Sequence, residues 1–298
     1  MPFCKFRYLP AILWVLLSTA LWTLIFAAAK FADGALGTFQ ITLLRYAGAL
    51  ATALILARAT GGLAAHRSAR PGAHFLRALC GSGAAIAITW SSAHMVLADA
   101  TALSMTYGVL LVLLGILFLG ERPGPVLIWG SALALVGAGV VMFGKGAFHD
   151  ALPAGPALAA VAGAVLMAFE GLLIRVLGLT EKPLTVILYV CFFGLCLMLI
   201  PAWMNWQPIS LSALFLCIGL GPVAIIAQYC TIRGYRAAPL SVVGPVDYSW
   251  MIFAAFLGVI AFDESLGPTT VIGCALIIGG GVIVSRARPT PSPEGREK

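Results

Sequence analysis

The sequence predicts an all-α integral membrane protein of ten transmembrane helices, arranged as two inverted halves of five. Three observations carry this. Of the 298 residues 61% are apolar and only 10% are charged, against roughly 25% charged in a soluble domain. The apolar residues fall into continuous runs of about twenty, the length that crosses a bilayer as a helix, rather than the alternating segments of about ten that build a barrel. Finally, part of the chain repeats itself after an odd number of those runs.

The ten spans are expected at 9–29, 36–57, 75–94, 99–119, 125–143, 155–174, 184–204, 210–231, 239–260 and 267–285. The first is preceded by Lys5 and Arg7 and ends in Ala27, Ala28 and Ala29, the outline of a cleaved signal peptide. Its run is longer than a usual signal core, so it is read as retained. With the N-terminus on the cytoplasmic side, the tails and loops on that side take Lys5, Arg7, Arg58, Arg67, Arg70, Arg77, Arg122, Arg175, Lys182, Arg233, Arg236, Arg286, Arg288, Arg296 and Lys298. Lys30 and Lys145 fall outside and Arg45 within a span, so the positive-inside rule is obeyed with both termini cytoplasmic. These scattered basic residues, net charge +7, are topology signals and not a nucleic-acid surface. All cysteines but Cys4 lie in apolar segments without metal or redox spacing, which makes them small packing residues.

Laid against itself with an offset of 143, LGILFLGERPGPVLIWGSALALVGAGVVM (114–142) faces LGVIAFDESLGPTTVIGCALIIGGGVIVS (257–285) without a gap and with ten identities in 29 positions. Five spans separate the copies, so Glu121 and its partner Glu264 lie on opposite sides and the repeat is inverted. Secondary transporters use such pairs to open alternately to each side of a site between the halves. The bland alternative is a duplicated hairpin that serves stability.

HFLRALCGSGAAIAITWSSAHMVLADATALSMTYG, LFLGERPG and GYRAAPLSVVGPVDYSWMIFAAFLGVIAFDES resemble the EamA-type members of the drug/metabolite transporter superfamily, and a subgroup that includes S-adenosylmethionine and riboflavin transporters. The resemblance implies a first repeat at 9–143, a second at 153–286, a disordered cytoplasmic tail at 287–298 and a central cavity. It also implies passage of small organic solutes through the cytoplasmic (inner) membrane of a bacterium, without a cofactor. Where such sequences commonly carry a proline in the fourth span, this chain has Gly108. A bend there is then expected from glycine or not at all. Pro222, Pro239 and Pro245 are the other bend candidates.

An ionisable residue inside the bilayer is costly and faces a cavity or a partner. Arg45 in span 2, Glu170 in span 6 and Asp247 in span 9 qualify, and helix rise puts Arg45 within about 6 Å of Asp247 in depth. Asp247 is read as the residue that binds a cationic part of the substrate or takes up a proton, or else as a strut paired with Arg45. Glu170 either shares that role or pairs locally with Arg175. Aromatic and amide candidates for the cavity wall are Trp22, Trp90, Tyr107, Gln228, Tyr229, Tyr248 and Trp250. His94 and Asp99 are more simply solvated helix-end residues than a metal or acid/base pair. Glu121 and Glu264 are expected to cap helix ends beside the Gly-Pro pairs. The glycines of spans 5 and 10 are expected to pack within the chain, with a homodimer face as the alternative.

No enzyme, metal or ATP-binding motif is present in the sequence. The expected function is therefore secondary transport of an amino-acid, nucleoside or vitamin-like solute, with a proton as candidate coupling ion. An intramembrane enzyme acting on a lipid-linked substrate and a non-transporting assembly subunit stand as rivals.

Overall fold

A computed structural model describes residues 8–30, 37–149, 151–262 and 267–286. Twelve α-helices follow one another as α1 Leu9–Lys30, α2 Thr38–Ala59, α3 Pro71–His94, α4 Leu97–Ser104, α5 Tyr107–Leu119, α6 Pro125–Gly144, α7 Ala154–Thr180, α8 Pro183–Met204, α9 Leu211–Ala237, α10 Leu240–Asp247, α11 Trp250–Phe262 and α12 Pro268–Ser285. A short 3-10 turn at Leu63–His66 joins α2 to α3. No strand occurs among the described residues.

The ten expected spans are recovered when α4 with α5, and α10 with α11, are each counted as one interrupted helix. Among the described residues nine stretches are both long and apolar enough to cross a membrane. The tenth, α3, has 24 residues but carries His74 and Arg77 in its first two turns. Proline stands at the start of α3, α6, α8 and α12, where its missing N–H costs no helical hydrogen bond. Gly120 ends α5 with φ 64°, a left-handed closure that glycine adopts without a side-chain penalty.

The expected ends of spans 3, 6 and 8 need correction. Span 3 was expected from 75 and spans 6 and 8 to stop short of Arg175 and Arg233, yet α3 begins at Pro71, α7 runs to Thr180 and α9 to Ala237. Long basic side chains can stay within a helix when their stems lie along apolar neighbours or their heads find partners. The Glu264 partner and the 287–298 tail lie outside the described residues.

The two halves exchange onto each other. Adding 143 to α4, α5 and the start of α6 reproduces the bounds of α10, α11 and the start of α12. Packing obeys the same exchange: α1 lies on α9 as α7 lies on α3, α2 on α9 as α8 on α3, and the α4/α5 helix on α7 as the α10/α11 helix on α1. α2 and α6 also meet their own counterparts, α8 and α12, and α5 of one interrupted helix meets α10 of the other. The α6–α12 contact is built on glycine. A Cβ on Gly137 would lie 2.7 Å from the Gly273 carbonyl and one on Gly280 2.6 Å from the Gly130 carbonyl, so backbone meets backbone.

Candidate functional site

The interruptions in the two long helices coincide under the exchange, at Met105–Thr106 and at Tyr248–Ser249. Each is one tightened turn with three-residue hydrogen bonds, Gly108 N to Met105 O at 3.3 Å and Met251 N to Tyr248 O at 3.1 Å. Mid-helix 3-10 turns of this kind mark hinges. In α10 Pro245 has no N–H for the Ser241 carbonyl and crowds it, which weakens the short helix just ahead of its interruption. The first helix has no proline here. Instead the Ser104 and Thr106 hydroxyls donate back to the carbonyls of Thr101 and Leu103, which loosens the helical ladder.

Gly108 therefore does not make the bend. It makes room: a Cβ there would stand 2.5 Å from the Tyr248 hydroxyl. That hydroxyl donates to the Met105 carbonyl at 2.9 Å, across 143 residues, so one interruption is tied to the other. Tyr248 is 2% exposed and its hydroxyl is engaged, which makes it a tie between halves rather than a free wall residue. Pro239 caps α10 without bending it, and α9 passes through Pro222 unbroken. Beside the interruptions an apolar cavity of about 220 Å³ opens among Gly108, Val112, Ser131, Leu135, Pro245 and Tyr248.

Asp247 is the last residue of α10, immediately before its interruption, and is partly exposed. The Tyr235 hydroxyl donates to its Oδ2 at 2.6 Å, and the Tyr107 hydroxyl is a second phenolic partner. Tyr235, on the last turn of α9, fell beyond the expected end of span 8 and was not foreseen. Its carbonyl accepts from Arg175 Nη1, so Arg175 serves the backbone of α9 and not Glu170.

Glu170 meets Arg77 instead, with Oε1 3.8 Å from Nη2. This corrects the placing of Arg77 as a loop charge: its side chain is fully buried in α3. At 3.8 Å the pair lies beyond hydrogen-bond reach, and Nε, Nη1 and Nη2 of Arg77 are all buried without a hydrogen-bond partner. Gly81 admits the Glu170 carboxylate, which a Cβ there would meet at 2.7 Å.

Arg45 makes no ion pair with Asp247. Its guanidinium lies over the rings of Trp22 and Tyr46, 5.1 and 5.0 Å from their centroids, favourable cation–π geometry. Arg45 and Arg77 are the two cations whose fields act on Glu170, and Tyr235 feels both Asp247 and Glu170. Trp22, Arg45, Tyr46, Arg77, Glu170, Tyr235, Asp247 and Tyr107 thus form one polar band through α1, α2, α3, α7, α9, α10 and α5.

Other candidates lie elsewhere. Trp90 is near the end of α3 and stacks on His94 at 4.6 Å, so it is not mid-span. Tyr229 meets Trp14 edge-on, with Arg233 over both rings. Trp250 packs at the start of α11, and its carbonyl accepts from Thr23 at 3.5 Å. Gln228 is partly exposed and buries Nε2 without a partner. Asp99 is 3% exposed and accepts from Phe148 N, anchoring the turn after α6. Glu121 does cap a helix, but the one across the halves: it accepts from Leu240 N at 2.7 Å and Ser241 N at 3.0 Å at the start of α10, where a carboxylate complements the helix dipole.

Twinned helical halves with matched hinges and charged groups between them define a polytopic transporter. A family model for EamA-like transporters matches residues 9–143 and 155–286. The chain belongs to the EamA-like transporter family. It is 30% identical to a probable terminal-alkyne amino-acid exporter of Streptantibioticus cattleyicolor, over 91% of this chain and 94% of the relative. A pseudopaline exporter of Pseudomonas aeruginosa is 25% identical over 88% and 91%, and a riboflavin transporter of Rhizobium johnstonii 28% over 76% and 74%. A solved crystal structure superposes with a TM-score of 0.79 at 23% identity, covering 92% of this chain and 96% of its own.

Proposed function

We propose that this chain carries a small charged organic metabolite across the inner membrane of a bacterium, both termini cytoplasmic, by alternating access about the two joined interruptions. The observation that carries the reading is Asp247, a carboxylate placed at the turn where α10 gives way to α11 and hydrogen-bonded by Tyr235 at 2.6 Å. A group at a hinge feels the hinge move. Asp247 binds the cationic part of the solute or a proton, and exchange between the two couples uptake on one side to release on the other. One chain supplies both walls of the site, and the glycine faces that offered a homodimer contact are engaged between α6 and α12.

The relatives, named for an amino acid, pseudopaline and riboflavin, set the size of solute to try. Purified chain in liposomes is loaded with labelled amino acids, nucleosides or vitamins and flux is followed with and without a pH gradient. Saturable flux that disappears in Asp247→Asn, with the variant still folded, supports the proposal. Lipid turnover without flux, or full flux and unchanged pH dependence in Asp247→Asn, overturns it.

A further inference from the structure

Within the polar band the charges are sorted by half. Arg45 and Arg77 lie in α2 and α3, Glu170 and Asp247 in α7 and α10. At the offset of 143 their counterparts are Leu188, Leu220, Ala27 and Ser104, none of them charged. Each half therefore brings one sign to the polar band, and the pairing within it is incomplete. Asp247 has phenols for neighbours, Tyr235 and Tyr107. At the other pole two guanidinium groups share a single carboxylate, Glu170.

Arg77 stands behind Glu170 with none of its buried N–H groups bonded. Arg45 is partly exposed, its guanidinium carbon 5.1 and 5.0 Å from the Trp22 and Tyr46 ring centroids; it makes no hydrogen bond or ion pair among the described residues. Guanidinium is weakly hydrated, stacks on aromatic faces and presents a fork of donors that fits carboxylate bidentately. The ring contacts engage no donor of the fork, and no acceptor meets it among the described residues. One positive charge is left over at this pole, within a membrane-spanning stretch.

We infer that the site selects solutes bearing a carboxylate, docked on Arg45 beside Trp22 and Tyr46, with Arg77 holding Glu170 back as a fixed counter-charge. Amines and neutral amides of the same shape are rejected, because they leave the extra guanidinium charge unpaired. This rests on the transport reading above and names the chemistry of its solute. An amino group on the same solute would face the opposite pole at Asp247.

The test is thermal unfolding of the purified full chain with matched pairs: leucine and isopentylamine, phenylalanine and phenethylamine, histidine and histamine, nicotinate and nicotinamide. Sodium chloride and sodium acetate serve as small-anion controls. Only acids are expected to raise the melting temperature. Arg45→Gln weakens the effective acid by about 30-fold or more, the scale for removing one partner of a desolvated charge pair. Arg45→Lys keeps part of the effect through its point charge, and serves in place of Arg45→Gln if that variant does not fold. An amine or amide that stabilises as well as its acid mate, an undiminished shift in both variants, chloride matching every acid, or no shift from any acid overturns the inference. Asp247-dependent flux of an amine or neutral solute overturns it and leaves transport standing. Acid-specific shifts with no flux do the reverse.

Discussion

The two helix interruptions share a backbone and differ in chemistry. Met105 and Tyr248 have nearly the same conformation, φ −61° and ψ −19° against φ −60° and ψ −14°, and stand 143 residues apart. Yet the first is preceded by Ser104 and the second by Asp247, and Ser92 occupies the place that Tyr235 holds opposite the carboxylate. Duplication kept the hinge in both copies, while the ionisable group sits in only one. The matched geometry serves motion, which both halves must perform; the unmatched side chains serve recognition, which needs one site.

Moving the carboxylate between hinges tests this most severely. Asp247→Ser is expected to lower flux in liposomes by about 100-fold, in the range for losing a desolvated hydrogen-bonded charge. Adding Ser104→Asp should not restore it, since Ser92 stands at the counterpart of Tyr235. Restoration would make the two hinges chemically equivalent.

The next effect is on stability. Glu170→Gln leaves Arg77 buried without its carboxylate and is expected to cost about 2 kcal/mol, less than for a fully buried pair because Glu170 is 28% exposed. Arg77→Leu in the same chain should recover most of it, as read by denaturant unfolding in micelles. Gly108→Ala is expected to cost about 1–3 kcal/mol by crowding Tyr248. Tyr248→Leu should relieve that clash, so the pair of substitutions is non-additive. The smallest change, Tyr248→Phe, removes the tie to Met105 and should cost about 0.5–1.5 kcal/mol. It should alter the flux rate more than the apparent affinity, because the bond joins the hinges and not the solute.

Hydropathy made the spans legible, because each needs about twenty apolar residues. Repetition made the inversion legible from 114 onward, where glycines of the α6–α12 contact hold identity in place. Upstream of that the two copies agree in backbone and not in residue type, so the coincident interruptions were invisible until the helices were seen. Asp247, Glu170 and Arg45 stood out as charges within apolar runs. Arg77 did not: a basic residue near the start of a span reads as a topology signal, and only its burial in α3 shows otherwise. Tyr235 was hidden by Arg233 and Arg236, which argued for a loop while the helix ran on to Ala237.

The glycine contact between α6 and α12 sets the leverage of the molecule. Backbone meets backbone there at Gly137–Gly273 and Gly130–Gly280, and in the proposed rocking that edge would serve as the pivot line. Displacement in any rotation about a line grows in proportion to distance from it. Outward from the pivot come α5 and α10 with their joined hinges, then α1, α3, α7 and α9, and last α2 against α8. Arg45 rides on α2, at the end of the longest arm, whereas Asp247 lies close to the axle. A rocking stroke about that line would carry the arginine through a wider arc than the carboxylate, which would instead feel the local bending of its own hinge.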